Sequence, residues 1–148
     1  MKIKVLFYIS LLVIASLFLI QNSSASPVPN AIMPDLVFTN ITYKISFINT
    51  TNSVTYWDVR VIGTLTNNGS IFATSSTSSS GLSRVGSTSG YGQAIPTPSI
   101  MPRVSTKVRW NFVGYTGQYS MWFHADVFNN VTEFDETNNF IGTIITLP

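Results

Sequence analysis

The sequence contains no cysteine. It therefore has no disulfide, which is the usual means of stabilising small extracellular domains, and no thiolate for catalysis or metal binding. If the chain is exported, it must be stabilised by packing or by assembly with other chains.

Charged residues are also scarce, at 9% of 148 residues, where about a quarter is typical. Without Lys2 and Lys4, the eight basic residues fall to six and balance six acidic residues. This balance excludes the basic surface that nucleic acid or anionic lipid would need. A surface poor in carboxylates suits an acidic exterior, so we expect the fold to persist below about pH 4.

The polar residues form no recognisable catalytic set. The single histidine, His124, lies within an alternating segment, and the serines lie in polar stretches with no neighbouring base. Most catalytic sites need a nucleophile, a base and an orienting group in one place. We therefore predict that the protein is not an enzyme and requires no cofactor.

Residues 1–25 have the organisation of a secretory signal peptide. Lys2 and Lys4 precede an apolar run at residues 5–20, and small residues follow at 23–26. This order predicts cleavage after Ala25 or Ser26 and a secreted, cell-surface protein; a retained membrane anchor is the alternative, because the run is long. Residues 26–34 would then be an N-terminal extension and residues 35–148 a single domain.

The rest of the chain has the period-two pattern of β-strands and no helical period. Turn signals recur about every eight to twelve residues, so we predict an all-β, antiparallel immunoglobulin-like β-sandwich of about seven strands. Residues 93–102 would be a connection. The predicted strands are residues 36–48, 54–66, 71–76, 82–85, 104–112, 119–127 and 140–147, and the predicted core aromatic residues are Trp57, Trp110, Phe112, Tyr119 and Phe123.

The end of the chain carries a spaced motif of glycine, tyrosine, acids and asparagines. Its positions are Gly117, Tyr119, Asp126, Asn129, Val131, Glu133, Glu136, Asn138 and Asn139. This motif resembles the end of CARDB domains, small immunoglobulin-like, adhesion-related domains of bacterial and archaeal surface proteins. The resemblance implies the sandwich fold, and it leaves the function open because such domains are modules in many contexts.

The acidic loop within this motif is a candidate metal site. Asp126, Glu133, Asp135 and Glu136 offer the oxygen ligands that calcium prefers, although their spacing matches no EF-hand loop. The interpretation that we favour is that Asp126 and the asparagines satisfy backbone groups of a long loop.

Five Asn-x-Ser/Thr sites occur in the sequence, and one of them, Asn22, lies in the predicted signal peptide. The others are Asn40, Asn49, Asn68 and Asn130. A chain rich in Asn and Thr generates such sites by chance, but glycans would also supply the solubility that the scarce charges do not. We predict N-glycosylation, with Asn68 and Asn130 at the most favourable turn positions.

The last predicted strand is apolar on both faces. Phe140 and Ile144 share one face, whereas Ile141 and Ile145 share the other. An outer sandwich face is usually polar, so these residues and the outward Trp122 predict an apolar groove that something covers. The cover is either the chain's own loops and extension or another molecule.

The extension has the composition of a covering strand. Val28, Ile32 and Met33 are apolar, and the prolines at 27, 29 and 34 keep the segment extended. We predict that it is a donor arm, which inserts into the groove of another copy and builds a head-to-tail filament. This architecture is similar to that of archaeal thread and bundling-pilus subunits.

The main predicted partners are therefore copies of this chain. Other cell-surface filaments or surface glycans are further predicted partners. The alternative function is a monomeric adhesion or carbohydrate-binding module, with Tyr91, Trp122 and the asparagine-rich loop as the sugar-binding residues.

Overall fold

The computed structural model describes residues 32–148. The predicted signal peptide and Val28 lie outside that range. The described residues form seven β-strands: β1 (Leu36–Thr51), β2 (Val54–Asn67), β3 (Ser76–Arg84), β4 (Gly90–Thr97), β5 (Ser105–Tyr115), β6 (Gly117–His124) and β7 (Phe140–Leu147). Within residues 32–148, no helix is long and apolar enough to cross a membrane.

The strands pair into a three-stranded sheet in the order β1-β2-β5 and a four-stranded sheet in the order β4-β3-β6-β7. Every ladder is antiparallel. The predicted antiparallel β-sandwich is therefore confirmed. This order leaves β1 and β5 at the edges of one sheet and β4 and β7 at the edges of the other.

The core is built by the inward positions that the period-two pattern predicts. Val59 and Val61 of β2 and Met121 and Phe123 of β6 are almost fully buried. Trp110 packs between the two sheets, with its ring 5.8 Å from that of Phe38 and 5.6 Å from that of Phe123. Such edge-on and tilted aromatic contacts add to the stabilisation that burial provides.

Four of the five predicted core aromatic residues are buried, and Trp57 is the exception. Trp57 is half-buried and packs against Phe47 of β1, with ring centroids 5.8 Å apart. It lies near the turn of the β1–β2 hairpin, where its partner on β5 is Gly114, which offers no side chain to cover it.

Two of the strand predictions are wrong. Residues 90–97 form edge strand β4, although residues 93–102 were expected to be a connection. The strand tolerates Pro96 because an edge strand is paired on one side only. Within the predicted strand at residues 71–76, Ala73 forms only an isolated bridge with Ile100. Strand β3 instead begins at Ser76 and ends at Arg84, so it includes all but the last residue of the short strand predicted at residues 82–85.

Strands β1 and β2 form a long hairpin. Asn52 and Ser53 connect them with φ angles of 50° and 62°, which is the geometry of a tight two-residue turn. The register of β1 shifts between Phe38 and Asn40 and again between Phe47 and Asn49. These shifts decide which β1 side chains face the other sheet.

Candidate functional site

An open groove lies between β1 and β7, the edge strands on one side of the sandwich. Its floor includes Phe38 and Phe123, and its walls include Ile41 of β1 and Ile141 of β7. The cavity has a volume of about 350 Å³. Among residues 32–148, neither strand has a hydrogen-bonded neighbour on this side, so within that range the backbone groups along both walls are free to pair with an added strand.

The β1 wall carries an apolar strip, Ile41, Tyr43, Ile45 and Phe47. These residues pair with Gly63, Val61, Val59 and Trp57, the inward positions of β2, so the strip also faces inward. Nevertheless 47% of Tyr43 and 60% of Phe47 is exposed. The sandwich therefore turns four large side chains toward its interior and covers them only partly.

Of the five predicted acceptor residues, the structure brings one to this groove. Ile141 lines it and is 42% exposed. Ile145 is buried in the core at 2% exposure. Phe140 and Ile144 are exposed, and they share the outer face of the sheet with Trp122, whose partner across the ladder is Gly142. The predicted acceptor role of these five residues stays a prediction.

Sequence reasoning missed the β1 strip, although the signal is present. Ile41, Tyr43, Ile45 and Phe47 alternate with polar residues and so mark one face of a strand. The alternation gives the face but not the neighbour that covers it. The exposure of this strip was therefore beyond sequence reasoning.

The N-terminal arm reaches the domain at the end of the sandwich where β1 starts. Ile32 is 68% exposed, whereas Met33 is half-buried. The Ser70 amide donates to the Met33 carbonyl at 3.0 Å, and the Phe134 amide donates to the Pro34 carbonyl at 2.8 Å. The chain is thus attached to its own domain from Met33 onward.

The acidic loop between β6 and β7 ties this end of the sandwich together. One Asp126 oxygen accepts a hydrogen bond from the Val131 amide at 2.7 Å, and Glu133 accepts one from the Leu36 amide at the start of β1. Asn139 donates to both Glu133 and Glu136 at 3.2 Å. These residues satisfy backbone and amide groups, which is the interpretation favoured above.

Two carboxyl groups of the loop have shifted pKa values. Burial is the main cause that raises the pKa of Glu133 to about 7. A hydrogen bond from the Thr137 hydroxyl is the main cause that lowers the pKa of Asp135. Among residues 32–148 there is no group of three or more acidic, histidine or cysteine side chains that could hold a metal ion. Calcium binding by Asp126, Glu133, Asp135 and Glu136 stays an untested hypothesis.

The remaining motif residues also have structural roles. The Tyr119 hydroxyl donates to the Tyr115 carbonyl at 2.9 Å and accepts from the Tyr115 amide at 3.2 Å, which fixes the β5–β6 corner. Burial raises the pKa of Tyr119. The CARDB-like motif thus consists of residues that close a corner and a loop.

The four predicted glycosylation sites are all exposed. Asn40 and Asn49 lie on β1, whereas Asn68 lies in the turn after β2 and Asn130 in the β6–β7 loop. Their side chains are accessible for modification, and the modification itself stays a prediction.

No protein-family model matches the chain, and no curated protein matches its sequence. Solved structures do match it. A crystal structure of the CARDB domain of the PF1109 protein from Pyrococcus furiosus, in complex with di-metal ions, is 20% identical, covers 77% of this chain and 88% of that one, and has a TM-score of 0.51. A solution NMR structure of the same domain is 22% identical, covers 77% and 94%, and has a TM-score of 0.47. The likeness to the crystal structure shows that this chain has a CARDB-like β-sandwich fold.

Proposed function

We propose that the protein is a secreted structural subunit of an extracellular cell-surface filament, in which residues 26–32 of one copy insert as a strand into the groove between β1 and β7 of the next. The observation that carries this proposal is the partly covered β1 strip. A long edge strand with exposed apolar residues is a site for strand addition unless the protein protects it.

The arm matches the strip in its spacing. The strip presents an apolar side chain at every second residue, as any strand face does. In an extended arm, Val28 and Ile32 fall on one face with Asn30 between them. Two apolar side chains can therefore enter the groove while the backbone pairs with an edge strand.

The prolines of the arm are compatible with pairing along one side. Pro27 and Pro29 are two residues apart, so their missing N–H groups lie on the same edge of an extended segment. The N–H groups of Val28, Asn30 and Ile32 lie on the opposite edge and can donate to the groove wall. The arm is thus suited to an added edge strand and unsuited to a central one.

The direction of the arm favours insertion into another copy. The Met33 and Asp35 carbonyls accept from the amides of Ser70 and Asn68, which continues the ladder of β1 and β2 beyond Leu36. Residues 33–35 therefore run in line with β1, and toward Met33 the chain leads away from its own groove. A contact of this kind repeats head to tail and generates a fibre.

Electron microscopy of residues 26–148 tests the proposal. We expect fibres from the wild type, and none from a variant that begins at Ile32 or from Tyr43→Asp, which places a charge in the groove. Phe128→Asp is the matched control, because Phe128 is 65% exposed in the β6–β7 loop and does not line the groove. Fibres from the variant that begins at Ile32 would refute the donor role of the arm.

A monomeric adhesion module is the second candidate. Its support is the CARDB-like fold, since the same architecture serves adhesion-related domains. Wild-type protein that sediments as a monomer at all concentrations, with an empty groove, would favour it.

A further inference from the structure

We propose that a second cleft, on the opposite side of the sandwich from the groove, binds an acidic saccharide. The cleft lies between β4 and β5 and has a volume of about 640 Å³. Its lining combines tyrosine rings with hydroxyl, amide and guanidinium groups: Tyr91, Tyr115, Ser87, Ser89, Gln93 and Arg84. This site is independent of the groove and of filament assembly.

A single side chain, that of Gln93, links the β4 and β5 walls of the cleft. The Gln93 amide nitrogen donates to the Asn111 carbonyl at 2.7 Å, and the Gln93 amide oxygen accepts from the Asn111 N–H at 3.3 Å. Gln93 thereby pairs with the edge of β5 as a neighbouring strand would. The cleft is therefore formed before any ligand arrives, which limits the entropy that binding loses.

The tyrosines give the cleft its preference for sugars. Tyr91 is 74% exposed and Tyr115 is 40% exposed, so both rings are accessible to a ligand. A tyrosine ring offers an apolar face to the C–H groups of a pyranose and a hydroxyl for hydrogen bonding. The hydroxyl groups of Ser87 and Ser89 add short polar contacts beside the rings. The two hydroxyl groups hydrogen-bond to each other at 3.1 Å, and each keeps the capacity to accept a further hydrogen bond from a sugar hydroxyl.

Arg84 makes an acidic saccharide the preferred ligand. Its guanidinium lies 4.7 Å from the centre of the Tyr115 ring and donates to the Tyr115 hydroxyl at 3.2 Å. In the described part of the chain the one ion pair joins Arg60 to Asp58, so Arg84 has no carboxylate partner there. A fixed, uncompensated guanidinium is suited to a bidentate carboxylate, such as that of a uronic acid.

Isothermal titration of residues 26–148 with tetragalacturonate tests this inference. We expect binding that weakens by about tenfold or more in Arg84→Gln and in Tyr91→Ala, because each variant removes one element of recognition. The fully methyl-esterified tetramer has the same chain without the charges, and we expect it to bind about tenfold more weakly. Lys44→Gln is the matched control, since it removes an exposed cation of β1 that does not line the cleft.

Three outcomes would overturn the inference. Absence of heat at millimolar saccharide would exclude the site. Equal binding of the methyl ester would remove the role of the carboxylate, and equal losses in Lys44→Gln and Arg84→Gln would indicate nonspecific charge attraction. A thermal melt of each variant verifies its fold, and fibres in the same samples report separately on filament assembly.

Discussion

Glu133 joins the two ends of the domain sequence. The residue is 5% exposed, and its carboxyl group receives hydrogen bonds from the first strand through Leu36 and from the acidic loop through Asn139. The nearby carboxyl groups of Glu136 and Asp126 oppose its ionisation, in addition to burial. One buried acid thus holds β1 to the β6–β7 loop.

The raised pKa of Glu133 predicts how stability varies with pH. Because the folded-state pKa, about 7, lies above the usual 4.5, the folded protein binds this proton more tightly than the unfolded chain does. The contribution is fully present below the unfolded pKa and is lost as pH rises through the folded pKa. We expect this group to lower the free energy of unfolding by about 2–3 kcal/mol between pH 4 and pH 8, as measured by urea titration.

The variant Glu133→Gln isolates this effect. It should flatten the fall in stability between pH 5 and pH 8, because glutamine does not titrate. Asp135→Asn serves as the control: the pKa of Asp135 is lowered, so its contribution is present above its unfolded pKa and is lost only as pH falls. An unchanged slope in Glu133→Gln would contradict the assignment.

Trp110 is the residue whose loss should cost most. It is 2% exposed and contacts the rings of Phe38 and Phe123. We expect Trp110→Ala to reduce the free energy of unfolding by about 3–5 kcal/mol, because a cavity remains between the sheets. The half-buried Trp57 is the internal comparison. If Trp57→Ala lowered the free energy of unfolding by as much, the core would not be centred on Trp110.

At the scale of the strand, Trp122 and Gly81 form one packing unit on the outer face of the four-stranded sheet. The indole lies directly over Gly81, its cross-strand partner, and a Cβ atom there would overlap the ring. We expect Gly81→Ala to destabilise the fold by about 1–3 kcal/mol, as measured by chemical unfolding.

Gly92, on the neighbouring strand, gives a matched control for this effect. A Cβ atom at Gly92 would lie 3.7 Å from Trp122, which is ordinary contact. Gly92→Ala should therefore have a smaller cost. The double variant Gly81→Ala with Trp122→Ala should cost less than the sum of its single changes, and strict additivity would refute the packing unit.

The strands differ in how well the sequence predicts them, and the reason is what each buries. β5 and β7 were predicted nearly in full, because their inward positions are large apolar residues. β3 turns Ser76, Ser78 and Ser80 inward, so it lacks a hydrophobic period. The groove was harder still to predict from the sequence. It depends on which strands lie at the edges of the two sheets, and long-range strand pairing decides that.

At the scale of the molecule, the proposed arm predicts that stability depends on assembly. A synthetic peptide of residues 26–34 should raise the melting temperature of the variant that begins at Ile32. The free energy of unfolding should increase with peptide concentration, by about 2.7 kcal/mol when the free peptide is at a hundred times its Kd. The control peptide carries aspartate in place of Val28 and Ile32. If it stabilised the variant equally, insertion of these two apolar side chains into the groove would be excluded.

Charge is distributed unevenly over the molecule. Five of the six acidic residues are Asp35 and the members of the β6–β7 loop, at the end of the sandwich where β1 begins. Arg84 lies at the other end of the sandwich, beside the β5–β6 corner. Acidic side chains are therefore concentrated where residues 33–35 lead into β1.

The alignment of Met33 and Asp35 with β1 has a mechanical consequence. In a fibre built by arm insertion, a pulling force passes from the inserted segment straight into the longest strand, without crossing a flexible connection. The hydrogen bonds along that path are then loaded together in shear, and no single bond opens first. A thin thread of this kind would resist stretching in moving water although no covalent bond joins its subunits.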